Sequence, residues 1–160
     1  MNDVAILGGG PAGATAARLL ALWGYRVVLY HKPREALRSL AETLPPSLRR
    51  HLRLLGIDRQ IDAAGLYRTT GNTSWWGGPR RRAETYPQPG YQVLRSDFDA
   101  LLVKLAADAG VEVRQEAAPR ERNRIAARYV LDATGRAGVI ARRVRQMGSA
   151  SRCWRSSPWT

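Results

Sequence analysis

An α/β fold built on a parallel sheet is predicted by three observations in the first thirty residues. Val4-Ala5-Ile6-Leu7 is a continuous apolar run of strand length, the pattern of a strand buried on both faces. A glycine-dense turn, Gly8-Gly9-Gly10-Pro11-Ala12-Gly13, follows at once. Ala12 to Trp23 then carries apolar residues around most of its circumference, as a buried helix does, and Arg26-Val27-Val28-Leu29-Tyr30 supplies a second apolar strand. Strand, glycine turn, helix and strand in that order make a βαβ unit, the connection that parallel strands require.

Gly8, Gly10 and Gly13 spell G-x-G-x-x-G between the strand and the helix, the context that makes this otherwise common pattern a Rossmann-like dinucleotide fingerprint. Gly8 permits the tight turn, Gly10 lets a pyrophosphate approach the backbone, and Gly13 lets the helix pack close to the strand. The N–H groups at the helix start, Ala12 included, then face the phosphate charge with the helix dipole behind them. Pro11 suits the first turn because its missing N–H would be unpaired there, and Gly24 is the predicted stop. The fingerprint also asks for Asp or Glu at the end of the second strand, about 20 residues past the glycines, to hold the ribose hydroxyls. The sequence reads Tyr30-His31-Lys32 there, with no carboxylate before Glu35. His31 takes that place as a weaker, pH-dependent acceptor through a neutral ring nitrogen.

The remaining elements follow from spacing and stop signals. Leu44, Leu48, Leu52 and Leu55 recur at helical spacing around Pro45-Pro46, with Gly56 as a stop, and read as a core-facing stripe. His51 falls among Arg49, Arg50 and Arg53 on a solvated face. Asn72, Trp75, Trp76 and Gly77 lie in a polar strand region where adjacent tryptophans point to opposite faces, one lining a pocket and one packing. Arg80-Arg81-Arg82 reads as a turn or an exposed edge guard. Ser96 and Asp99 form a capping-box variant for a helix running to Ala109, with Gly110 as its stop. Asp97 and Asp99 suit its positive end. Arg95 has no such local need and is a candidate site residue. Val111–Arg114 reads as a strand, and Arg124–Asp132 leads into the Asp132-Ala133-Thr134-Gly135 element. Asp132, before a Thr-Gly turn, is balanced between a turn former and a ligand contact.

Four stretches together resemble the FAD-dependent monooxygenase superfamily, in particular its tryptophan-halogenase-like and geranylgeranyl-reductase-like branch. They are Asp3–Gly13 with its helix, Ala41-Glu42-Thr43-Leu44-Pro45-Pro46, Val93-Leu94-Arg95-Ser96-Asp97-Phe98-Asp99, and Leu131-Asp132-Ala133-Thr134-Gly135-Arg136. The resemblance implies FAD as cofactor, its pyrophosphate held by Gly8, Gly10, Pro11, Ala12 and Gly13. It puts the acidic ribose position on His31, a loop contact on Glu42, with Ala41 where glycine is usual, and a cofactor-side arginine on Arg95. Asp132 and Gly135 would close over the adenosine and pyrophosphate. The implied enzyme is an oxidoreductase whose reduced flavin reacts with oxygen or passes hydride to a small-molecule substrate, with NAD(P)H or a flavin reductase as electron donor. A halogenase proper is disfavoured, because no W-x-W-x-I-P pattern occurs and the only lysines, Lys32 and Lys104, lie at a strand end and inside a helix. No residue stands out as a catalytic acid or base.

The implied layout is an FAD-binding domain over residues 1–136 with a rudimentary substrate-region insertion at about 66–94, and a basic, poorly patterned tail over 137–160. The substrate domain is largely missing, and truncation or a frameshift after about Arg136 is the expectation. Net charge is +13, but residues 120–160 hold ten arginines against Glu121 and Asp132, so the excess concentrates at that end. With nearly all basic residues arginine, codon composition accounts for the charge as well as phosphate binding does, which leaves a nucleic-acid-binding module as the lesser reading. A catalytically inactive fragment with weak or no flavin binding is the main alternative. A single cysteine, Cys153, excludes an internal disulfide and a thiol metal cluster. The absence of a signal-peptide pattern or a long apolar run fits a cytoplasmic protein with no membrane span.

Overall fold

The computed structural model describes residues 1–32, 41–75, 78 and 81–140. Glu35, Trp76, Gly77, Arg80 and the chain beyond Ile140 lie outside them. Four strands form one parallel sheet in the order β6-β2-β1-β7: β1 (Asn2–Leu7), β2 (Val27–Tyr30), β6 (Glu112–Arg114) and β7 (Ala127–Asp132). The register places Leu7 beside both Tyr30 and Asp132, and Tyr30 beside Arg114, so all four strands end along one edge. Neighbours on opposite sides of β1 come from chain segments a hundred residues apart. That reversal of strand order is the crevice where open α/β sheets bind ligands.

Alternation along β1 and β2 divides the core. Val4, Ile6, Val27 and Leu29 point to the face covered by helices α1 (Pro11–Leu22) and α4 (Arg95–Ala107), where Ala14, Ala17, Phe98, Leu102 and Leu105 meet them. Ala5, Leu7, Val28 and Tyr30 point to the other face, covered by Ala118, Ile125, Ala127 and Ile140. Val4–Leu7 and Val27–Tyr30 are therefore uniformly buried, as their unbroken apolar runs predict. Leu29 and Ile6 are 0% exposed, and each contributes about 1.5–3 kcal/mol by burial.

Helix α1 departs from the expectation of burial all round. Only Gly13, Ala14 and Ala17 are fully buried, and Leu22 and Trp23 at its end are exposed. Its one cation, Arg18, is structural. The guanidinium donates to the Leu105 carbonyl at 2.8 Å and the Leu55 carbonyl at 3.5 Å, satisfying the ends of two neighbouring helices. Gly24 stops the helix with φ +88°, as predicted.

A second, antiparallel sheet has the order β3-β5-β4, built from β3 (Ala41–Leu44), β4 (Tyr67–Trp75) and β5 (Arg81–Leu94). Helices α2 (Leu48–Leu54) and α3 (Asp58–Ala63) connect β3 to β4. Leu44 thus belongs to a strand, opposite Tyr91, and not to the helical stripe of Leu48, Leu52 and Leu55, because Pro45-Pro46 separates it from the first helical turn. Arg81 and Arg82 pair with Trp75 and Ser74 at the start of β5, so they are strand residues rather than a turn. Asp62 on α3 ties this layer together, accepting from the buried Tyr91 hydroxyl, from Arg49 at 2.9 Å and from Arg68 at 3.2 Å.

Candidate functional site

The edge where the parallel strands end opens into a cleft of about 410 Å³. Gly8, Gly9 and Gly10 form its floor, His31 and Lys32 one side, and Ala133, Thr134, Gly135 and Val139 the other, with Arg95 and Asp99 behind. Backbone bonds set the floor: the Gly8 N–H donates to the Tyr30 carbonyl at 2.9 Å, and the Ala133 N–H to the Leu7 carbonyl at 2.8 Å. The glycine loop is thereby fixed to both neighbours of β1.

Two of the loop's glycines are obligatory by contact. Gly8 has φ +101°, and a Cβ there would meet the Ala133 carbonyl oxygen at 2.6 Å. A Cβ at Gly13 would collide with the Gly8 carbonyl oxygen, so the helix–strand approach assigned to this residue is what the structure shows. Gly10 differs. The nearest neighbour of a Cβ there would be Arg95 Nη2 at 3.5 Å, an ordinary contact, so the bare backbone at Gly10 and a guanidinium converge on one point.

Arg95 is held from two sides. Its Nε donates to Asp99 Oδ1 at 2.7 Å, one helical turn on, and its Nη1 donates to Glu42 Oε1 at 2.8 Å across the start of the antiparallel sheet. The Asp99 bond, foremost, and the Glu42 bond push its pKa further above the ordinary arginine value. Glu42 therefore reaches the cleft through Arg95 and is not itself part of the lining. Asp99 is only 6% exposed. Rather than serving the helix dipole, as its position predicts, it anchors the arginine. The capping-box reading of Ser96 is also corrected: the helix starts at Arg95, and the Ser96 hydroxyl donates to Asp97 Oδ1 at 3.0 Å. The apolar Leu94 is the cap residue, because the helix follows β5 without an intervening loop.

Asp132 works beneath the cleft. Its carboxylate accepts from the Thr134 N–H at 3.1 Å and the Thr134 hydroxyl, and from the Ile140 N–H at 2.8 Å, which shapes the turn that brings Gly135 and Val139 to the lining. The turn-forming role is the one the structure displays. Asp132→Ala is expected to lower unfolding free energy by about 2 kcal/mol, since it removes charge-assisted bonds to two part-buried amides. Urea denaturation of the full chain measures this.

His31 replaces the acid of the fingerprint, and its ring lies against Gly9, where any added Cβ would collide with it. Burial lowers its pKa below the ordinary 6.5, opposed only by the charge of Asp99, so the ring is neutral at pH 7. The unfolded chain therefore takes up a proton near pH 6.5 that the folded chain refuses. Stability is full above pH 6.5 and falls as pH drops from there towards the lower folded value. His31→Gln is expected to flatten that part of the profile, as read by thermal unfolding at a series of pH values.

Of the sequence-derived candidates, Gly8, Gly10, His31, Arg95 and Gly135 come together on the cleft. Pro11 and Ala12 start the helix beside it, Gly13 packs that helix on β1, and Glu42 and Asp132 support it from behind. Sequence reasoning missed Gly9, Lys32, Asp99, Glu116 and Arg120. The spacing of Arg95 and Asp99 was a usable signal for an ion pair. Arg120 offered none, because it reaches the cleft from a loop that only the topology brings there.

The model of the FAD binding domain family matches residues 1–142. The chain belongs to this family. Its cofactor is FAD, and its relatives place it among the FAD-dependent monooxygenase- and halogenase-like proteins. A tryptophan 2-halogenase from Chondromyces crocatus is 31% identical over 88% of this chain and 31% of its own length. A flavoprotein/dehydrogenase from Cytophaga hutchinsonii superposes with a TM-score of 0.70 at 27% identity, covering 88% of this chain and 41% of that one. The myxobacterial chondrochloren halogenase CndH gives a TM-score of 0.61 at 28% identity, over 71% of this chain and 28% of that one. The chain spans about a third of the length of the first curated relatives it matches. The site fits FAD on its own geometry, since the cleft joins an exposed glycine backbone, a helix start and a fixed guanidinium where a pyrophosphate needs donors.

Proposed function

We propose that this chain is the FAD-binding unit of a flavin-dependent oxidoreductase of the monooxygenase/halogenase-like group. The observation that carries the reading is the convergence of the Gly8–Gly10 backbone and Arg95 at the point where the parallel strand order reverses. When bound, FAD supplies the redox chemistry, with electrons from NAD(P)H or a separate flavin reductase. The chain's residues bind and orient it. Gly8 and Gly10 expose backbone to the pyrophosphate, the α1 start adds its dipole, and Arg95, held rigid by Asp99 and Glu42, adds fixed positive charge. His31 accepts a bond from the adenosine ribose, and the turn organised by Asp132 carries Gly135 over the same region.

Purification of the 160-residue chain tests this. A yellow protein releasing one FAD per chain on denaturation is expected. A folded, colourless protein that takes up no FAD on dialysis overturns the reading.

A further inference from the structure

The antiparallel sheet ends in a two-stranded arm. Between Arg81 and Thr85, β5 is paired with β4 alone among the described residues, because β3 pairs with β5 only over Tyr91–Leu94. Arg81 to Thr85 are all exposed, and so are Gly71, Asn72, Thr73 and Trp75 opposite them. A ribbon of two strands with no third strand and no core on either face is marginal by itself in water. Its β5 side is an open edge, with backbone donors and acceptors free to pair. Tyr86-Pro87-Gln88-Pro89 bounds that edge: it stands opposite Thr70 alone, and its prolines have no N–H for a ladder.

The charges on this edge are complementary to themselves. Arg82 and Glu84 lie on one face of the strand. Among the described residues neither side chain has a partner within the chain. In an antiparallel pairing of the edge with a second copy, centred on Ala83, Arg82 of each copy falls opposite Glu84 of the other, and Arg81 opposite Thr85. Residues directly opposite are about 4.5–5.5 Å apart at Cβ and the like-charged diagonals about 7–8 Å, so attraction prevails. An arginine-bearing edge ordinarily repels an incoming strand. Glu84 makes the chain's own copy the exception.

We infer that two copies of this chain associate through the Arg81–Thr85 edge about a two-fold axis at Ala83, joining their arms into one four-stranded sheet, β4-β5-β5-β4. The contact is isologous, the same patch on both copies. It lies at the small end of specific interfaces, so the dimer depends on concentration. It is independent of the FAD reading, since no residue of this edge lines the cleft.

Sedimentation velocity on the full chain tests this at about 0.15 M salt, where repulsion between the +13 chains is screened beyond about 8 Å. A shift from monomer towards dimer is expected between about 1 and 100 µM. Arg82→Glu alone sets like charges opposite each other twice per dimer and is expected to weaken association about tenfold or more. Glu84→Arg alone is expected to do the same. An equimolar mixture of the two single variants restores both opposite-charge pairs between unlike chains, so its dimer is expected to return to near the wild-type strength. Both positions are exposed, and circular dichroism of each variant checks its fold. A chain that stays monomeric at about 100 µM overturns the inference. So does association that survives either single reversal, or a mixture that stays monomeric, because each places the contact on another surface.

Discussion

Gly13→Val is expected to abolish FAD retention and to lower stability by roughly 3 kcal/mol, the upper part of the range for forcing atoms into a packed site. The β-carbon would collide with the carbonyl of Gly8, and Ala133 Cβ lies 3.2 Å from the same point. Backbone forms the obstacle, so no side chain can rotate out of the way. Helix α1 must retreat from β1, which carries its N–H groups away from the cleft and opens the Val4, Ile6, Ala14 and Ala17 contact. Thermal unfolding should show the midpoint lower by about 10 °C for a chain of this size. Gly24→Val provides the contrast. A Cβ added there would meet nothing within 4 Å, so its substitution strains only its own positive φ and should leave flavin retention intact.

The second large effect is expected at Arg95. Arg95→Ala strands Asp99, whose side chain is 8% exposed, beside a cleft and without its partner. Removing one member of a buried ion pair costs about 3–5 kcal/mol, and the 24% exposure of Arg95 puts the expected loss near the lower end, about 3 kcal/mol. Bound flavin should be lost as well, because a carboxylate then faces the phosphates. Arg95→Lys restores charge without the fork that bridges Asp99 and Glu42, so it should recover part of the stability and little of the binding. Equal flavin content in all three proteins, measured after gel filtration, would show that Arg95 serves the fold alone.

These two positions differ in how far the sequence makes them legible. Gly13 can be assigned from the sequence alone, because its role is local: strand, turn and helix are contiguous, and steric demand at that junction is independent of the rest of the fold. The parallel sheet is legible for the same reason, since unbroken apolar runs at Val4–Leu7 and Val27–Tyr30 have few other uses. Arg95 can be named but not explained, because its partner Glu42 lies 53 residues away on a strand that pairs with β5. Asp132 admits two readings, and hydrogen bonds to its own turn favour the local one. The capping reading of Ser96 fails where a strand runs straight into a helix, which leaves no room for a cap loop. Lys32 and Arg120 carry no pattern at all and acquire meaning only when the sheet order brings them to one cleft.

One contact also bears on how this loop can change over generations. The His31 ring rests on Gly9, a glycine with no part in the G-x-G-x-x-G pattern. Positions 9 and 31 therefore form a single unit of variation. A side chain at position 9 is compatible only with a smaller or differently turned residue at 31, and a histidine at 31 commits the chain to glycine at 9. Substitution at position 9 is closed off until position 31 has changed, whereas position 31 can change first, because glycine at 9 puts no side chain in its way.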